Sequence, residues 1–215
     1  MKPSNTRILR LVFNLFLFLG TLYAFYLLYF RTTGLLQARG FVAFKYFTVL
    51  SNCFGGVMAA VWLVCAAVCR KSGKDIPRAV ELLKFTAAVC LGLTFMVVML
   101  FLGWIYGHII LLKGANLWFH LLIPMAAMGE FVLLNKQPVS LKNCAGAMLP
   151  MLGYAAFYLT YNAIMGKSEN PLQNDWYGFL LWGWGVGFCL FAAVIALTFG
   201  IAAALRKLNQ KMHIA

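Results

Sequence analysis

The sequence predicts an all-α, polytopic integral membrane protein with six transmembrane helices and both termini in the cytoplasm. Three observations carry that expectation. Of the 215 residues, 63% are hydrophobic and 11% charged, where a soluble domain has about 25% charged. Six apolar segments reach the length of about 20 residues that a helix needs to cross a bilayer. Lys and Arg gather at alternate ends of those segments. No polar stretch is long enough for a second unit, so the chain reads as a single domain over residues 1–215.

The first span is expected at 9–30. Lys2, Arg7 and Arg10 precede its apolar run, residues 11–30, as in a signal peptide. Its apolar run is too long for a signal core, which is typically about 7–15 residues, and no small-residue cleavage site follows; a retained helix is expected. The remaining spans are expected at 42–69, 85–112, 117–135, 144–165 and 177–205, joined by short polar connections. Thirteen Lys and Arg fall in the N-terminal tail, the 70–84 loop, the 136–143 loop and the C-terminal tail. Five fall on the other side: Arg31, Arg39, Lys45, Lys113 and Lys167. Positive charge is retained on the cytoplasmic side, which places both termini there. The expected location is the cell membrane, inner or plasma.

The net charge of +13 sits at the ends of apolar runs and not in a stripe, so no nucleic-acid partner is expected. The partners expected are membrane lipids. Six cysteines lie in or beside apolar runs, without the spacing of a disulfide framework or a metal site. They read as small buried hydrophobes. No metal and no cofactor is expected.

His120 stands inside the apolar run 116–134. An ionisable group in a membrane helix is costly, about 2.5–3.5 kcal/mol on insertion scales for a charged one, and marks a functional candidate. The second and fourth spans both enter from the non-cytoplasmic side. Thr48 is expected about six residues into the second, roughly 9 Å deep at 1.5 Å per residue, and His120 roughly 5 Å into the fourth. The two share one outer slab. Pro124 has no N–H for the His120 carbonyl four residues back, so the helix is expected to loosen there.

Further polar groups fall at the same level. Thr48, Ser51 and Asn52 stand at i, i+3 and i+4, one stripe of the second helix. His108 lies near the outer end of the third, with Trp104 and Tyr106 beside it. The fifth brings Tyr154, Tyr158, Tyr161 and Asn162, and the loop after it carries Asp175. The bland roles are interfacial aromatics for the tyrosines and tryptophans and interhelical hydrogen bonds for Asn52 and Asn162. Glu130 lies ten residues below His120, about 15 Å along the axis. That is too far to assist it, and a buried lysine or tyrosine is its expected partner.

At FKYFTVLSN (44–52), NLWFHLLIP (116–124), GYAAFYLTYNAIMG (153–166) and DWYGFL (175–180), the chain resembles the androgen-induced-gene family of six-helix membrane proteins and its androgen-dependent relatives. The resemblance runs through all six helices in order and is strongest to small bacterial-type members. It implies a threonine hydrolase that cleaves fatty acid esters of hydroxy fatty acids. Thr48 matches the family's threonine near the outer end of the second helix. His120, Pro124 and Glu130 match its histidine, helix proline and acidic residue. Asp175, Trp176 and Tyr177 match the aromatic-rich start of its last helix, although Gly178 stands where a proline is expected.

The resemblance implies an intramembrane lipid-ester hydrolase in which Thr48 attacks the ester and His120 is the general base. Candidate oxyanion or supporting groups are Ser51, Asn52, Tyr158, Tyr161, Asn162 and Asp175, with Asp175 also a candidate to orient His120 or His108. His108 and Glu130 are secondary candidates. The alternative is a non-enzymatic protein that binds or transports lipids or small molecules through the same cavity. Repeats and broken helices of the transporter kind are not evident. A metal site built from His108, His120 and Asp175 is the weakest reading, because the spacing is not that of a metal motif.

Overall fold

The structure, a computed structural model, describes residues 3–31, 40–166 and 168–214. Lys2, Arg39 and Lys167 of the charge count, and the Tyr106 side chain, lie outside the described residues. The elements run α1 (Pro3–Phe30), a 3-10 turn (Gly40–Lys45), α2 (Phe47–Ser72), α3 (Arg78–Val97), a π turn (Val98–Leu102), α4 (Gly103–Tyr106) and α5 (His108–Leu111). After a turn come α6 (Ala115–Leu117), a second π turn (Trp118–Leu122), α7 (Ile123–Leu134), α8 (Leu141–Gly146), α9 (Leu149–Met165), α10 (Pro171–Asn174) and α11 (Trp184–Ile214). No strand occurs among the described residues.

Five segments among the described residues are long and apolar enough to cross a membrane: Asn5–Phe30, Phe47–Ser72, Arg78–Leu102, Ala115–Leu134 and Trp184–His213. The segment expected to span at 144–165 differs. It divides into α8 and a 17-residue α9, with a turn at Ala147 and Met148. At 1.5 Å per residue α9 is about 25 Å long. Pro150 in its first turn has no N–H to continue the helix backward, which favours a fresh start there.

Three other expected boundaries move. The second span begins at Phe47, not 42, because residues 40–45 wind more tightly. The third, expected over 85–112, starts earlier at Arg78 and breaks at Gly107, whose φ of 86° no helix accommodates. The last, expected from 177, starts at Trp184, after turns that end on Gly183 with φ of 90°.

α3 is the central helix, packed on α2, α7 and α11, while α1 lies across α2 and α7. Phe85, Val89 and Leu91 are closed off on α3. Val57, Val61, Val64 and Val68 form an exposed stripe along α2. In water so large an apolar face would be a liability; in hydrocarbon it is the outer surface of a membrane protein. All six cysteines are free thiols; Cys90 and Cys144 are buried as expected, whereas Cys189 is exposed.

α1 and α2 approach closely at Gly56. A Cβ there would stand 2.7 Å from Thr21 Cγ2, whose hydroxyl is tied to the Leu17 carbonyl at 2.7 Å. Gly56→Ala is therefore expected to cost about 1–3 kcal/mol by overpacking. Gly146→Ala, with nothing within 4 Å of the new Cβ, is expected to be near neutral. Thermal unfolding of the two variants in detergent measures the difference.

Where α1 begins and α7 ends, four charges are buried together. The Arg10 guanidinium donates to Glu81 at 2.9 and 2.7 Å and to Glu130 at 3.0 Å. Lys84 pairs with Glu130 at 2.9 Å and also donates to the Asn14 amide oxygen. Trp62 donates to Glu81 at 3.3 Å, and its ring lies 4.7 Å from the guanidinium. Glu130 thus has the lysine partner expected of it. Lys84, counted above as a loop charge, is instead inside the bundle.

Candidate functional site

α2 and the α6–α7 segment both begin at the same end of the bundle, and there the candidate residues other than Glu130 lie. Thr48 is the second residue of α2, half-buried, so it stands at the helix mouth and not six residues inside. His120 is 3% exposed, in the π turn just before Pro124. The expected loosening takes that form: the Ile123 N–H reaches back five residues to the Trp118 carbonyl. Such single π turns inside helices recur at functional sites.

His120 Nδ1 lies 2.9 Å from the Leu111 carbonyl, at the C-terminal end of α5. A carbonyl only accepts, so in the neutral ring Nδ1 carries the proton and Nε2 is left with a lone pair. That is the tautomer a general base requires. The group orienting the ring is a backbone oxygen. Asp175, expected to do this, is engaged elsewhere. It accepts the Tyr158 hydroxyl and the N–H groups of Phe179 and Leu180 at 2.9 and 2.8 Å. It therefore folds the loop before α11 onto α9, because a carboxylate at a turn finds backbone donors nearer than a distant imidazole.

Asn52 is fully buried and links the two helices. Its Nδ2 donates to the Thr48 carbonyl at 2.8 Å and to the Phe119 carbonyl at 3.1 Å. Both amide hydrogens are thus committed, and Asn52 is not an oxyanion donor. Its Oδ1 is the one buried side-chain oxygen or nitrogen among the described residues with no hydrogen-bond partner. An acceptor left unsatisfied in this way costs about 1–3 kcal/mol. Asn52→Asp would set a third acceptor against two carbonyls, and its expected effect is a lower unfolding temperature and loss of the α2–π-turn contact. Asn52→Ala, lacking that repulsion, should fall less far in the same thermal scan.

Ser51 hydrogen-bonds Thr94 Oγ1 at 3.0 Å and the Thr48 carbonyl at 3.1 Å, an α2–α3 tie. The Tyr158 hydroxyl is spent on Asp175, and Asn162 donates to the Tyr158 carbonyl at 2.9 Å. Tyr161 packs its ring on Trp176. His108 faces the Met99 carbonyl through Nε2 at 3.2 Å and stacks edge-on with Trp104. Glu130 belongs to the charged cluster at the other end of α7. Among the described residues, none of these groups hydrogen-bonds to His120. Among the described residues no hydrogen bond joins the Thr48 hydroxyl to His120 either; Asn52 links the Thr48 carbonyl to that of Phe119, the residue before His120.

One donor escaped the sequence reading. The Phe47 N–H is taken by the Tyr177 hydroxyl at 2.9 Å, and those of Val49 and Leu50 by the Tyr46 carbonyl. The Thr48 N–H belongs to the second residue of α2. It is a first-turn donor at a helix N-terminus, where negative charge is stabilised. Burial pushes the Tyr177 phenol well above the ordinary tyrosine range, with Tyr154 beside it, so it remains a neutral hydroxyl against Phe47. An apolar cavity of about 380 Å³ adjoins α2, lined by Phe47, Leu50, Ser51, Phe54, Cys90 and Tyr154 among others. Compared with known protein families, curated proteins and solved structures, the chain matches none.

Proposed function

We propose that the protein is an intramembrane hydrolase of lipid esters, of the kind joining a fatty acid to a hydroxy fatty acid, with Thr48 as nucleophile and His120 as general base. The proposal includes α9 as a sixth span and both termini in the cytoplasm of a cell that holds the protein in its inner or plasma membrane. The resemblance to the androgen-induced-gene family supplies the chemistry. The observation that carries the reading is the His120 tautomer: Nδ1–H is fixed on the Leu111 carbonyl, which leaves Nε2 to accept a proton.

Thr48 Oγ1 attacks the ester carbonyl and its proton passes to Nε2, on which an unaided hydroxyl depends. The N-terminal turn of α2, where Thr48 stands, stabilises the developing oxyanion. The alcohol leaves with the proton from His120, and the acyl group stays on Thr48. Water then attacks the acyl-threonine, giving its proton to His120, which passes it to Thr48 Oγ1 as the acid is released. Asn52 Oδ1, which has no donor of its own, takes a hydrogen of that water. The cavity beside Ser51 receives the acyl tail.

A second reading, a lipid-binding protein without catalysis, is favoured by the missing hydrogen bond between Thr48 and His120. The deciding experiment uses the purified full chain in detergent with a palmitate ester of hydroxystearate. Release of free fatty acid, with a fluorophosphonate probe labelling Thr48 in wild type and not in His120→Ala, is the expected result. Ester binding without release, and no labelling of Thr48, would replace the hydrolase with the binder.

A further inference from the structure

The other end of the bundle holds a second site that the proposed chemistry does not use. A cavity of about 570 Å³ opens between the start of α1, the end of α2, the 73–77 turn and the end of α7. Arg7, Arg10, Arg70, Lys74 and Lys136 line it. Its acids are Asp75 and Glu81. Both Glu81 oxygens are already held by Arg10, and one also by Trp62. The lining therefore keeps a surplus of positive charge.

The floor is built and not merely charged. Arg10 spends three of its five N–H groups on Glu81 and Glu130. Those carboxylates and the Trp62 ring beneath hold the guanidinium still, leaving two donors on a fixed plane. Around the rim, Arg70, Lys74 and Lys136 are exposed. Basic residues near helix C-termini are common because they offset the helix dipole, and Arg70 at the end of α2 does so. That role needs no cavity and no buried guanidinium at its base. A rigid guanidinium plus a ring of ammonium and guanidinium groups is the arrangement that recognises phosphate.

We infer that this cavity is a binding site for a phosphate-bearing anion, carried on a lipid headgroup or on a small soluble ester, with Arg10 as the fixed donor and Arg70, Lys74 and Lys136 as the closing cations. The site is independent of Thr48 and His120, which lie at the opposite end of α2 and α7.

The test uses the full chain purified in detergent. Retention of phosphatidylglycerol is followed by native mass spectrometry and binding of glycerol 3-phosphate by calorimetry. Arg70→Gln/Lys74→Gln/Lys136→Gln changes exposed rim residues, so the fold should survive; an unchanged unfolding temperature checks this. Lys142→Gln/Lys207→Gln/Lys211→Gln removes three charges expected on the same face but outside the cavity. The expected result is saturable one-to-one binding, weakened at least tenfold by the rim substitutions and less than twofold by the others. Binding of phosphatidylglycerol alone identifies the headgroup as the source, and binding of glycerol 3-phosphate as well identifies the free ester. If neither probe binds, or if both triple variants lose binding equally, the site is refuted and the charges act only as a diffuse surface.

Discussion

His120→Ala is expected to lower kcat/KM for ester hydrolysis by about 10²–10⁴, the usual worth of a positioned general base. Thr48→Ala is expected to fall at least as far, because the neighbouring Ser51 hydroxyl is held between Thr94 and the Thr48 carbonyl. The double variant should be no slower than the worse single one, since nucleophile and base act as a unit. Thr48→Ser should keep much of the rate. Steady-state kinetics on the four proteins decide the matter. Additive losses in the double variant would mean that the residues act separately, and full activity in Thr48→Ala would end the assignment. The free Nε2 is the structural reason to expect the large effect.

Glu130→Ala is expected to destabilise the protein by about 3–5 kcal/mol, the cost of leaving buried charges without their partner. Glu130 is almost wholly enclosed and holds both Arg10 at 3.0 Å and Lys84 at 2.9 Å. Removing it strands Lys84, whose side chain is 8% exposed. Replacing the whole cluster with apolar residues of similar volume removes charge and partner together and should be far milder. Denaturant or thermal unfolding in detergent compares the two. A Glu130→Ala protein as stable as wild type would show that water reaches Lys84 and compensates it.

This cluster also shows what one-dimensional reading loses. Arg10 and Lys84 counted as topology charges because they stand at the ends of apolar runs. Their spacings were visible: Arg10 and Asn14 at i, i+4, and Glu81 and Lys84 at i, i+3. Those spacings put each pair on one helix face without saying which face turns inward. Glu130, alone in an apolar run, did announce a buried partner, a lysine or a tyrosine, because an isolated carboxylate there must be paired or hydrogen-bonded.

The candidate site divides the same way. Thr48 and His120 were legible as polar groups at one end of helices entering from one side. The loosening before Pro124 followed from the missing N–H. Asp175 was misread as a support for His120, since backbone donors of its own loop and Tyr158 claim it. The Leu111 carbonyl that orients the imidazole, and the Phe119 carbonyl that engages Asn52, are backbone atoms. No side-chain pattern could have announced them.

By itself, the sequence determined the all-helical character and most of the long apolar helices of a membrane protein. Those properties follow from hydrophobic length, charge placement and helical period, all of them local. The tertiary structure alone decided where helices break, which charges are interior, and which hydrogen bond fixes each side chain. Those depend on positive-φ glycines and on contacts between residues far apart, such as Asn52 with Phe119 and Arg10 with Glu130. Hydrogen bonds are directional and short-ranged, so only the packed chain assigns them.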